Sequence, residues 1–307
     1  MCTKSPKIIQ LENDQFLAEI SPLGAELQKF EKKESGFNYI YCKTTKEGEA
    51  DDREWKRSSP ILFPNIDMLA YGKLVHQENE YEAKPHGFAR DKEFEVLSAD
   101  DSESKFVLNS NDEIKKVYPF DFSLSVTYKL EKNVLSVTFK VENKSGEDPM
   151  CFSIGAHPAF KLADGTKMEN YKVEFDKPIV IKTSRGRGRY LTERVDFISE
   201  DATNNLSLSR NLFEQDSIIL EDTGVEEVKL HSEDGKYRLW VEFKDFPVFA
   251  LWTELENTED KPFVCIEPWC GIGAYCNEKK DDISRKLRVT KLKPNDSFER
   301  TYKIGIE

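Results

Sequence analysis

Period-two alternation of apolar and polar side chains is the strongest constraint this chain places on its own fold. Leu124, Val126, Tyr128 and Leu130 alternate with Ser123, Ser125, Thr127 and Lys129. After Glu131-Lys132-Asn133 the pattern resumes through Leu135, Val137, Phe139 and Val141. Successive side chains on a strand point to opposite faces, so the pattern predicts a β-hairpin with one buried face. The same habit recurs at Phe16, Ala18 and Ile20, at Val173 and Phe175, at Val228 and Leu230, and at Leu239, Val241 and Phe243. Ser35-Gly36, Ser145-Gly146, Asp164-Gly165 and Asp234-Gly235 supply turn chemistry between such runs. Helical periodicity is scarce, and a short helix is expected only within 204–216. The basic, glycine-rich stretch 182–189 reads as a loop, either a plain surface loop or a lid that meets an anion. With no internal repeat and no shift in composition, the expectation is an all-β chain of large antiparallel sheets, residues 1–307 forming one domain.

Charge and cysteine usage narrow the function classes. The net charge is −12. Such a surface lacks the basic footprint that nucleic-acid backbones and anionic membranes require, although a local pocket can oppose the global sign. The plain reading of this acidity is a solvated surface. No apolar run is long enough to span a bilayer, and the first residues lack a signal-peptide core. The expected location is therefore cytoplasmic. The six cysteines form no C-x-x-C pair and read as reduced thiols. Cys265, Cys270 and Cys276 cluster without a histidine nearby in sequence, so no metal site is expected there.

The chemistry-bearing residues fall in three short segments. His86 lies in Pro85-His86-Gly87-Phe88-Ala89-Arg90-Asp91. It serves either to pin a loop through backbone hydrogen bonds or to meet a ligand. Arg90 is either a surface ion-pair partner or a fork of donors for hydroxyls or an anion, and an extended backbone would project it on the same side as His86. His157 lies among small apolar residues, between Ala156 and Pro158. It is either a satisfied core histidine or a proton donor near neutral pH. Glu267 ends the apolar run Phe263-Val264-Cys265-Ile266, and glutamate is rarely buried without a partner. A carboxylate facing an imidazole across a pocket can take a proton at one point of a substrate and return it at another.

Taken in order, these segments resemble the galactose mutarotase-like (aldose 1-epimerase) superfamily, most closely its LacX-like branch. Ser21-Pro22-Leu23-Gly24-Ala25-Glu26-Leu27 resembles the family's opening strand. Trp55 and Arg57 through Ser59-Pro60-Ile61-Leu62-Phe63-Pro64 resemble its next block. His86 to Asp91, Ser153 to Phe160 and Cys265 to Trp269 follow in the family's order, and Lys291-Leu292-Lys293-Pro294 resembles its ending. Each block alone is weakly specific, and the ordered set is highly specific.

The resemblance implies a β-supersandwich and interconversion of the α and β anomers of an aldose, without cofactor or metal. By likeness, an ionised Glu267 takes the proton from the anomeric hydroxyl while a protonated His157 gives one to the ring oxygen. His86 orients the ring oxygen, and Asp216 holds sugar hydroxyls. The implied partner is a small-molecule sugar, and the assembly a monomer or homodimer. One position departs from the pattern. Related members show Gly-Arg soon after Phe-Pro, and here Met68 stands where that arginine is expected. Methionine cannot donate to a hydroxyl, so either the sugar differs, another side chain such as Lys73 substitutes, or activity on ordinary hexoses is weak. Arg57 and Arg90 resemble positions that grip phosphate in the hexose-6-phosphate 1-epimerase branch, which gives one alternative reading. A carbohydrate-binding protein without turnover on the same scaffold is another.

Overall fold

A computed structural model describes residues 7–42, 55–187 (backbone only at 185–187), 190–256 and 262–307. The alternating segment forms two strands, Phe122–Glu131 and Val134–Asn143, paired antiparallel with Val126 opposite Phe139. All eight apolar residues of the pattern are buried. Lys132 takes a positive φ of 55° in the connecting turn, as tight hairpin turns require. These strands are central in a nine-stranded antiparallel sheet, flanked by Glu103–Asn109 on one side and Ser297–Ile306 on the other. Val173, Phe175, Val228, Leu230, Leu239 and Val241 extend its buried face. Phe16, Ala18 and Ile20 lie instead in a four-stranded sheet built from residues 9–38. Strands take 51% of the chain and helices 7%, which agrees with the all-β expectation.

Two local expectations are corrected. Lys182–Arg187 is a strand paired with Tyr190–Phe197, not a loop, while residues 188–189 lie outside the described residues. Ile181 and Thr183 are buried on one side of this arm, at strand spacing. Within 204–216 the chain forms the strand Thr203–Ser207 and then a 3₁₀ turn at Arg210–Phe213. Leu206 and Leu208 are buried two residues apart, and that period favours a strand over a helix.

The second large sheet positions the chemistry. Its central strand, Phe263–Cys270, is buried along its whole length. Val264, Ile266 and Cys270 point into the main core. The alternate residues point the other way: Phe263 and Cys265 pack with Trp55 and Trp252, and Trp269 packs with Leu62, Ile66 and Ala250. Glu267 falls between these two apolar clusters. One edge of the strand pairs with Val248–Trp252, Ala250 lying opposite Glu267. The other edge is shared by two short strands, Ile154–Ala156 and Ala159–Lys161. Gly155 pairs opposite Trp269, and Ala159 opposite Cys265. His157-Pro158 fills the break between them. Proline has no N–H for the ladder, so the pairing is interrupted there. That interruption sets the His157 side chain beside Glu267.

Candidate active site

His157 Nε2 lies 3.3 Å from Glu267 Oε2, with the glutamate side chain 2% exposed. Trp55 stacks on the His157 ring at 5.2 Å, and Trp252 meets it edge-on at 5.5 Å. His86 approaches the same ring edge-on at 5.7 Å. These groups line a cavity of about 260 Å³, whose walls also include Asp67, Arg90, Asp216 and Trp269. Enclosure by aromatic faces with a few convergent polar groups is the usual make-up of a small-molecule site.

Burial sets the resting protonation of the pair. It pushes the Glu267 carboxyl well above its ordinary range, helped by the negative charges of Asp67 and Asp216. It pushes His157 well below its ordinary range, helped by His86 and then Arg90. An ionised glutamate beside a protonated histidine was the expectation from sequence. With both side chains buried the neutral forms are favoured instead, because each charged form would lose its hydration. The 3.3 Å contact then holds one proton for two groups, which titrate as a unit.

The loop 63–67 and the segment 84–90 are zipped together. His86 N–H donates to the Asp67 carbonyl, and Asn65 Nδ2 donates to the carbonyls of Asp67 and Lys84. The Asp67 N–H donates to His86 Nδ1 at 3.2 Å, so a neutral His86 carries its proton on Nε2, which faces Asp67 Oδ1 at 3.2 Å. His86 therefore both pins the loop and lines the cavity. The segment is not extended, since His86 takes a φ of 60° and a 3₁₀ turn begins at Ala89, yet His86 and Arg90 reach the same cavity.

Gly87 makes this zipper fit. Its φ is 73°, and a Cβ there would lie 2.1 Å from the Phe63 carbonyl oxygen. That oxygen accepts the N–H groups of Phe88 and Ala89. Gly87→Ala is expected to destabilise the protein by about 3 kcal/mol or more, through backbone strain and displaced hydrogen bonds. Urea unfolding would check it, and a loss below about 1 kcal/mol would show that the loop yields without strain.

Asp67 was not singled out in the sequence. It occupies a φ of 48°, a conformation aspartate tolerates better than most residues, and that is a turn signal rather than a site signal. Gly273 leaves room for it, since a Cβ there would approach the Asp67 side chain to 2.8 Å. Burial raises the Asp67 carboxyl to about 6, against the opposing pull of Lys286 and Arg90. A folded-state value above the unfolded one means that ionising Asp67 costs the folded state. The cost is absent below the ordinary aspartate range and complete above about 6. Asp67→Asn is thus expected to stabilise the fold by about 1–3 kcal/mol at pH near 7 and by almost nothing at pH near 4. Thermal unfolding at the two pH values checks this, and equal effects at both would refute it.

The remaining candidates divide. Asp216 lines the cavity and accepts the N–H of Ser217. Arg90 also lines it, donating from Nη2 to the Pro85 carbonyl, with Nε buried and unpartnered. Arg57 is not among the described residues lining the cavity. Its guanidinium turns onto Asp91 and the Arg90 carbonyl, held there because Glu26 accepts the N–H groups of Ser58 and Ser59. Lys73 pairs with Glu82, away from the cavity, and so does not replace an arginine at Met68. Met68 packs near Gly72 and does not line the cavity either. His76 and His231 are half-buried beside Asp282 and Glu174. Three of the four tryptophans line the cavity: Trp55 and Trp269 belong to the quoted sequence blocks, and Trp252 does not.

Cys265 joins the pair more closely than sequence order suggests. Ligand atoms of His157, Cys265 and Glu267 all lie within 4.8 Å of one another. Burial holds the Cys265 thiol well above its ordinary range, with Glu267 adding to the effect, and a metal would need the thiolate.

Residues 7–304 match the aldose 1-epimerase family. The chain belongs to this family. Among its relatives is the plasmid-borne protein LacX of Lactococcus lactis subsp. lactis, 30% identical, with 97% of this chain and 99% of the relative covered. A galactose mutarotase related enzyme from Lactobacillus acidophilus superposes with a TM-score of 0.88 at 29% identity, covering 98% of this chain and 97% of that one. A galactose mutarotase-like protein from Lactobacillus casei gives a TM-score of 0.87 at 28% identity, covering 98% and 100%. The ordered sequence blocks thus identify the family correctly. This aldose 1-epimerase family member also keeps the expected His–Glu pair in contact at the floor of a cavity.

Proposed function

We propose that this protein interconverts the α and β anomers of an aldose by general acid–base ring opening. The observation that carries the reading is the His157–Glu267 contact of 3.3 Å, almost withdrawn from water and open to the cavity. Family membership and the names of its relatives point to a carbohydrate as the ligand.

The chemistry follows from one shared proton. Transfer from the Glu267 carboxyl to His157 gives a carboxylate and an imidazolium without changing the charge of the pair. The carboxylate then takes the proton of the anomeric hydroxyl. The imidazolium gives its proton to the ring oxygen as the bond from that oxygen to the anomeric carbon breaks. The open-chain aldehyde turns about its first carbon–carbon bond. Ring closure runs the same transfers backwards onto the other face. Each positioned group is worth roughly 10²–10⁴-fold. His86 helps to orient the ring oxygen, its ring held in place by Asp67, and Asp216 holds hydroxyls. A phosphate-gripping role would need Arg57 and Arg90 in one cavity, and Arg57 is turned onto Asp91.

Anomer exchange by saturation-transfer NMR at neutral pH tests the reading. Exchange between α and β signals, faster with the protein than in buffer, is the expected result. Ligand binding with no acceleration on any aldose would make it a binding protein on an epimerase scaffold.

A further inference from the structure

The charge of the cavity carries an inference about its substrate. Four carboxyl groups line it, those of Asp67, Asp216, Glu254 and Glu267. Among the described lining residues Arg90 is the one lysine or arginine. Arg90 also interacts with Glu26 and Asp91 outside the cavity, so its charge is shared. Glu254 accepts the N–H groups of Leu255 and Glu256. Glu267 Oε2 is buried, meets His157 Nε2 at 3.3 Å and opens onto the cavity.

We propose that the aldose this cavity selects carries a positive charge, as a 2-amino-2-deoxyaldose does. This deepens the anomer-exchange reading and rests on it for the chemistry. An ammonium group supplies the positive charge and the N–H donors that a surplus of carboxylates lacks. A 6-phosphorylated aldose would bring further negative charge into the same enclosure, where low dielectric strengthens repulsion. Burial first, and then the charge of Asp67, makes Asp216 and Glu267 harder to ionise, and a bound cation would relieve that repulsion. A neutral aldose satisfies the hydroxyl-binding groups but does nothing to relieve the repulsion between these carboxyl groups.

The test compares four ligands at pH about 7, where an amine next to a sugar hydroxyl is largely protonated. They are glucosamine, glucose, N-acetylglucosamine and glucose 6-phosphate, each measured by calorimetry and by anomer exchange. Glucosamine is expected to bind at least about tenfold more tightly than glucose, the order of one charge-assisted hydrogen bond. N-acetylation, which removes the charge, should erase the advantage. Asp67→Asn and Asp216→Asn together should reduce it. Equal or weaker binding of glucosamine than of glucose overturns the proposal, as does a preference untouched by the double substitution, or no binding by any of the four. Tight glucosamine binding without exchange would sink the epimerase reading and leave the charge selectivity standing.

Discussion

Glu267→Gln is expected to lower anomer exchange by at least about 10²–10⁴-fold while the protein folds as before. Glutamine matches the shape of the carboxyl group but can neither take up the hydroxyl proton nor exchange one with His157. Folding should survive because burial already favours the neutral carboxyl in the native state. The substitution therefore removes an ionisation that the core opposes and leaves the packing between Cys265 and Trp269 unchanged. Saturation-transfer NMR reads the activity, and circular dichroism with thermal unfolding reads the fold. His157→Asn should cost nearly as much, and the double variant little more than either single one. Groups that act as a unit lose their effect together, and such losses do not add. Exchange retained within about threefold in Glu267→Gln would remove the carboxyl from the mechanism.

Much of this was legible in the chain because strands announce themselves by period two. The hairpin at 122–143, the repeated alternations and the apolar run ending in Glu267 each translate directly into burial. The pairing of His157 with Glu267 was legible only through family resemblance. Its cause is the hand-over between two short strands at His157-Pro158, a matter of register across strands more than 100 residues apart in sequence. Asp67 was missed for a related reason. A turn aspartate and a site aspartate have the same local sequence, and only the zipper between 63–67 and 84–90 brings this one to His86. Arg57 and Lys73 failed in the opposite sense. Their residue type suits anion binding, but Asp91 and Glu82 lie nearer than the cavity. Local composition reveals which residues can do chemistry, and long-range packing decides which of them meet.

The pH profile should report the shared proton. One proton on the pair is the working state. Adding a second blocks the base, and removing the last leaves no acid, so activity should follow a bell with about tenfold loss per pH unit beyond each limb. The acid limb reflects protonation of His157. Burial, then His86 and Arg90, pushes this below the ordinary histidine value of about 6.5. The alkaline limb reflects loss of the Glu267 proton, which burial and then Asp67 and Asp216 hold well above the ordinary carboxylate range. Trp269 pulls the other way but is the smallest contributor. The sign of a substitution follows. Asp67→Asn deletes a negative charge that disfavours the Glu267 carboxylate, so the alkaline limb should move to lower pH while the acid limb stays near its place. Rates of anomer exchange across the pH range, for the native protein and Asp67→Asn, decide the matter. A limb that moves upward, or a profile with no alkaline limb, would mean that the proton lost at high pH does not come from this pair.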